Sequence, residues 1–199
     1  MDYRIENIIS EEDRKELIAL YNNLPSGKAH QDYNLFDVDK RPVGGSKRKI
    51  PAFEKLDAYS KLPPHGQYFV MYEEESFTKL HTDDDKAIGM TTVTLLDTSP
   101  DLEGGETVIL LPYTKNARPR HKYRKGNKPK ERSPVIPVVV KCDIGQTMVY
   151  DNKLHHSVAQ VRKGKRLVLV QWYYKDEQTR DSVLSKEKGI NIVDYKTSK

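Results

Sequence analysis

The hydrophobic and polar positions of this chain change period partway along it. Near the N-terminus, Ser10 precedes EEDRKELIALYNNL, where Leu17, Ile18, Leu20 and Tyr21 recur at helical spacing behind three acidic residues. Acids in a first turn behind a serine cap, and Pro25 and Gly27 beyond the last apolar position, predict a short amphipathic helix. Residues 28–66 are rich in turn formers (Pro42, Gly44, Gly45, Pro51, Pro63, Pro64), with a short helix expected around Phe53–Ser60. From Gln67 the pattern becomes one of strands. The runs QYFVMY, IGMTTVTLL, ETVILL, VIPVVVK, TMVY, HSVAQV and RLVLVQWYY are rich in β-branched and aromatic residues. Gly104-Gly105, Gly126-Asn127, Gly145 and Gly164 supply turns between them. Seven such runs with no helical pattern between them predict a two-sheet antiparallel β fold supported by N-terminal helices. The tail after Asp176 reads as weakly helical.

Composition bounds the class. A chain of 199 residues predicts one domain, divided into helical support over 1–65, a β core over 66–175 and a tail over 176–199. No run approaches the roughly 20 apolar residues of a membrane-spanning helix. The acidic start MDYRIENIISEEDRKEL lacks the basic and apolar parts of a signal peptide, and the single cysteine, Cys142, suits a reducing compartment. The expectation is a soluble, cytoplasmic protein. Charge is uneven: residues 115–132 hold nine Lys/Arg against one acid, a balance of +8 within a net +5. Such a segment reads either as a solvated loop or as a surface for nucleic acid or an acidic protein. Only His121 and Tyr123 interleave its charges, too few aromatics for a base-stacking surface.

Candidate chemistry enters with the histidines. His81-Thr82-Asp83 ends a strand-like stretch, and strand alternation sends positions 81 and 83 to one face. An imidazole beside a carboxylate is two ligands of a facial 2-His-1-carboxylate iron site, which leaves three positions open. By itself, His-x-Asp is a weak signal. The segment HHSVAQVRKGKRLVLVQWYY strengthens it, because a histidine opens a strand, a glycine turn follows, and Arg166 stands ten residues after His156.

The order His-x-Asp, Gly104-Gly105-Glu106-Thr107, then His156-x(9)-Arg166 resembles the 2-oxoglutarate- and iron(II)-dependent oxygenase superfamily. Within it, the chain is most similar to the catalytic domain of prolyl 4-hydroxylases over about residues 66–175. Tyr72 stands nine residues before His81, and the ending Arg166-x(5)-Trp172-Tyr173 looks like that of the oxygen-sensing prolyl hydroxylases. The resemblance implies a double-stranded β-helix (jelly-roll, cupin-like) core. It implies Fe(II) on His81, Asp83 and His156, with O2 and 2-oxoglutarate as co-substrates and ascorbate as reductant. It also implies that Arg166 pairs with the distal carboxylate of 2-oxoglutarate, a contact suited to a planar, permanently charged fork. The implied reaction hydroxylates a protein or peptide residue, foremost proline, with release of succinate and CO2.

The spacing to Gly164 and Arg166 favours His156 over His155, which alternation turns to the other face, as it does Lys165 relative to Arg166. Asp84 and Asp85 read as solvated carboxylates, Trp172 and Tyr173 as packing residues, and Tyr72 as either a co-substrate ligand or a core tyrosine. Two departures stand out. The strand after His-x-Asp lacks the tyrosine that often binds 2-oxoglutarate, so Thr94 or Tyr72 is expected to substitute. Val170 stands where the oxygen-sensing branch has threonine. A nucleic-acid-directed oxygenase is the second reading, disfavoured because Trp172 occupies the place of the second arginine of the nucleic-acid demethylases. A non-catalytic β-sandwich binding module is the third. A mobile substrate loop over 40–66, hinged at Gly44-Gly45, is an equal alternative to an ordinary surface loop.

Overall fold

The structure is a computed structural model and describes residues 3–27, 34–44, 48–83, 86–112 and 135–194. The basic segment 115–132, Gly126-Asn127, Gly45, Asp84, Asp85, His30 and His121 lie outside them. The chain runs β1 (Tyr3–Glu6), α1 (Glu11–Asn23), β2 (Leu35–Phe36), β3 (Asp39–Pro42), α2 (Pro51–Ser60), β4 (Pro64–Tyr72), β5 (Phe77–His81) and β6 (Ile88–Thr98). It continues through β7 (Glu103–Gly104), β8 (Thr107–Pro112), β9 (Val135–Val140), β10 (Thr147–Asp151), β11 (His155–Val158), β12 (Val161–Lys163), β13 (Arg166–Tyr174) and α3 (Glu177–Asp194).

Every pairing is antiparallel. A six-stranded major sheet has the order β1-β10-β6-β13-β4-β3, and a five-stranded minor sheet the order β2-β5-β11-β8-β9. A small β12-β7 pair closes one end. The two-sheet expectation therefore holds, and the arrangement is a jelly roll. Alternation on β13 shows how one strand serves two layers. Leu167 and Leu169 pack with Phe69 and Leu96 against the helices, whereas Val168 and Val170 face the interior with Val70, Tyr72 and Leu95.

The helices α1 and α2 cover one face of the major sheet. In α1, the Ser10 hydroxyl accepts from the Asp13 N–H and the Asp13 carboxylate accepts from the Ser10 N–H, so the expected cap is a full capping box. Leu17 and Tyr21 of α1 are buried against Ala52, Phe53 and Leu56 of α2. Asp13 also pairs with Lys55 of α2 at 2.5 Å, tying the two helices together.

Several expectations needed correction. The segment 1–65 is not helical support alone, because β1, β2 and β3 add strands to the two sheets. Of the 40–66 segment, β3 is hydrogen-bonded to β4 and α2 is packed into the core, so these parts do not form a lid. The run HSVAQV is two strands, β11 and β12, in different sheets. The helical reading of the tail holds as α3, through Asp194. No helix among the described residues is long and apolar enough to cross a membrane.

Gly104 shows how tightly the closing end is built. Its φ is +82°, and a Cβ placed there would lie 2.1 Å from the Gln160 carbonyl oxygen. Gly104→Ala is therefore expected to cost about 1–3 kcal/mol from backbone strain, with the steric clash in addition. A urea midpoint equal to that of the parent protein would contradict this account of the β7-β12 turn.

Candidate active site

Two strands of the minor sheet create the site. His81 ends β5 and Asp83 follows two residues later, while His156 lies on β11 as the direct Cα partner of His81. That register brings the two imidazole rings to a centroid separation of 4.3 Å. Asp83 Oδ1 is 3.6 Å from His81 Nε2, and Asp83 Oδ2 is 3.9 Å from His156 Nε2. One ligand atom from each of the three residues falls within 4.8 Å of the others. His156 is buried, whereas its neighbour His155 is exposed on the outer face of the sheet.

Backbone contacts orient both rings. His81 Nδ1 is 2.8 Å from the Lys79 carbonyl and His156 Nδ1 is 3.0 Å from the Leu154 carbonyl. A carbonyl only accepts, so each Nδ1 carries the proton and each Nε2 presents a lone pair towards Asp83. Burial pushes the Asp83 carboxyl up. The His81 and His156 imidazoles beside it and the Thr91 hydroxyl outweigh this and hold it below the usual carboxylate range. Burial holds His156 below the ordinary histidine value, which keeps the ring neutral. Two basic nitrogens and a carboxylate fit a divalent cation of the iron, cobalt or manganese kind.

The other pole of the site is Arg166, the first residue of β13, which is 8% exposed. Its Nη1 donates to the Gly105 carbonyl and its Nη2 to the Thr107 hydroxyl, each at 2.9 Å. The Tyr72 ring centroid is 5.7 Å from the guanidinium carbon, and the Tyr72 hydroxyl is 2.8 Å from that of Thr78. Arg166, Tyr72, His81, Asp83 and His156 line one cavity. Its remaining wall is largely apolar and includes Val93, Val168 and Val170. A buried guanidinium facing an apolar cavity asks for an anionic partner.

The residues expected from sequence thus divide. His81, Asp83, His156, Arg166 and Tyr72 come together in the cavity, and Val170 lies in its wall. Thr94 does not join them: it faces the opposite side of β6, where its hydroxyl bonds that of Thr147 at 2.8 Å. Lys165 points outward and pairs with Glu73 at 2.6 Å. Tyr173 is fully buried, and Trp172 packs edge-on to Tyr68 at 5.1 Å. Sequence reasoning missed Thr91 and Tyr150, whose hydroxyls reach Asp83 Oδ2 at 2.7 and 3.2 Å. Burial and the Asp83 charge push the Tyr150 phenol well above its ordinary value, so it stays protonated and can donate. The one sequence signal for this pair was parity, since 91 shares a face with Val93, but nothing local shows which face meets Asp83.

No protein-family model matches the chain, and no curated protein matches it. Solved structures do. A Pseudomonas putida prolyl-4-hydroxylase aligns with a TM-score of 0.61 and 14% identity, over 87% of this chain and 92% of that one. A prolyl hydroxylase from Trichoplax adhaerens, in complex with a hypoxia inducible factor oxygen degradation domain peptide fragment, aligns at 0.58 and 12% identity over 90% and 86%. The non-heme alpha ketoglutarate dependent epimerase SnoN from nogalamycin biosynthesis aligns at 0.58 and 15% identity over 86% and 76%. The fold of this chain is accordingly the jelly roll of the 2-oxoglutarate/Fe(II) oxygenases, prolyl hydroxylases among them.

Proposed function

We propose that this protein is an Fe(II)- and 2-oxoglutarate-dependent oxygenase that hydroxylates a protein or peptide residue, with proline the foremost target. The observation that carries the reading is the pairing of His156 with His81 beside Asp83, across one cavity from buried Arg166. Iron(II) held by the three residues supplies, with dioxygen, the oxidative decarboxylation of 2-oxoglutarate to succinate and CO2 coupled to insertion of oxygen into a substrate C–H bond.

The chain's own residues do the rest. Arg166 holds the distal carboxylate, and Tyr72 is the nearest hydroxyl-bearing candidate to assist it. Thr94 has no part in this, since it faces the other side of β6. Charge supports the assignment. A divalent cation and one carboxylate leave +1, and a doubly charged 2-oxo acid with Arg166 leaves −1, so the loaded cavity is neutral overall. A neutral buried assembly avoids the cost of an unpaired buried charge. The Nδ1–H bonds to Lys79 and Leu154 leave each Nε2 unprotonated, as a metal ligand must be. Val93, Val168 and Val170 keep bulk water from the reacting centre. The peptide substrate is supported by the likeness to prolyl hydroxylases, one of them solved with a peptide bound. The likeness to an epimerase of the same fold means that the substrate must be tested directly.

Three outcomes are expected. His81→Ala lowers Fe(II)-dependent conversion of 2-oxoglutarate to succinate on the order of 100-fold or more, whereas His155→Ala leaves it within about twofold. Equal rates in His81→Ala and the parent protein would show that the triad is not the site. Arg166→Ala forfeits charge-assisted hydrogen bonds worth about 1.5–3 kcal/mol each, so the KM for 2-oxoglutarate rises by roughly tenfold or more. An unchanged KM would move the co-substrate anchor elsewhere. Incubation with Fe(II), 2-oxoglutarate, ascorbate and proline-containing peptides adds one oxygen to a prolyl residue, read by mass spectrometry. Succinate formation with no prolyl product on any peptide would discard proline and keep the oxygenase.

A further inference from the structure

Within the proposed iron site, the two oxygens of Asp83 are not equivalent. Oδ2 is engaged by two hydroxyls, Thr91 at 2.7 Å and Tyr150 at 3.2 Å. Oδ1 lies 3.6 Å from His81 Nε2, and Oδ2, besides its two hydroxyl donors, lies 3.9 Å from His156 Nε2. The two hydroxyl donors are themselves direct Cα partners on β6 and β10, so a cross-strand pair of the major sheet reaches over to a carboxylate carried by the minor sheet. Both side chains are buried, Thr91 at 0% exposure and Tyr150 at 3%. A carboxylate oxygen has two good lone-pair directions, and two hydroxyls fill those of Oδ2.

Tyr150 has a second neighbour. Its hydroxyl is 3.1 Å from His156 Nε2, which carries no proton while Nδ1 donates to Leu154. A phenol has one proton to give. When Nε2 is committed to a metal, that proton goes to Asp83 Oδ2.

We infer that Thr91 and Tyr150 are positioning residues that fix Asp83 so that Oδ1 alone faces the metal, an inference that rests on the iron reading above. A carboxylate binding through one oxygen leaves three positions of an octahedral ion open, whereas a chelating one would take a position needed by co-substrate or dioxygen. Groups that orient a ligand in this way commonly govern metal affinity by about 10–100-fold.

The test uses the full-length chain as Thr91→Val, Thr91→Ser, Tyr150→Phe and the double variant Thr91→Val/Tyr150→Phe. Fe(II) affinity is measured anaerobically by titration at a temperature where all are folded. The visible absorption of the Co(II)-loaded proteins reports coordination number. Thr91→Val and Tyr150→Phe are each expected to weaken Fe(II) binding by about tenfold and the double variant by more. Thr91→Ser, which retains the hydroxyl, should stay within about twofold, and the Co(II) spectrum should change in Thr91→Val but not in Thr91→Ser. Fe(II) affinity and a Co(II) spectrum in the double variant equal to those of the parent would overturn the inference. So would a drop in metal-free Tm with affinity unchanged, since that is a structural bond and nothing more. A parent protein that binds no Fe(II) would remove the proposed function itself, and the inference with it.

Discussion

The site depends on the pairing of β11 with β5. His81 and His156 become neighbours only because the two strands meet in a register that places one Cα opposite the other. A slip of one residue would turn His156 to solvent and bring His155 inward, since side chains alternate across a strand. The other flank of β11 resists that slip. There His156 is paired with Ile109, a fully buried residue, while the exposed His155 is paired with Leu110 on the outer face. Leu154, also buried, enters the core just before β11 and fixes the strand's start. Hydrophobic parity of the minor sheet thus chooses which histidine faces Asp83, and the carbonyls of Lys79 and Leu154 choose which nitrogen it presents.

The second constraint is that opposite charges sit at the two poles of one buried cavity. Neither Asp83 nor Arg166 is left bare. Hydroxyls and imidazoles surround the carboxylate, while a carbonyl and a threonine hydroxyl take part of the guanidinium fork. Such contacts are too weak to repay full burial of an ion by themselves. A site that keeps two partly satisfied charges apart, in an otherwise apolar wall, is arranged for a charged guest between them.

How much of this could be read along the chain depended on whether the signal was local. The capping box at Ser10, the long strands and the choice of His156 follow from periodicity and spacing, which are written in neighbouring residues. The strand β3 was illegible because Asp39-Lys40-Arg41-Pro42 has no strand composition; it is extended because β4 offers it an edge. Thr94 was misplaced for a related reason. Alternation separates 94 from 91 and 93, but only the three-dimensional pairing shows that the odd positions face the cavity. Thr91 and Tyr150 escaped notice because a hydroxyl on a strand looks the same whether it meets a carboxylate or a neighbouring threonine.

Among the described residues α1 and α2 back only the major sheet, and this asymmetry has a thermodynamic consequence for a ligand at the site. Phe36, Leu80, Val135 and Val139 of the minor sheet are each about half exposed, so that sheet draws its packing energy from one face. It is also the sheet that carries His81 and His156. Local opening free energies track buried contact, so the minor sheet is the layer that opens at lower cost. An ion held between β5 and β11 would bind only the closed form of that layer and add its binding free energy to it. Metal occupancy would then be linked to the integrity of the minor sheet.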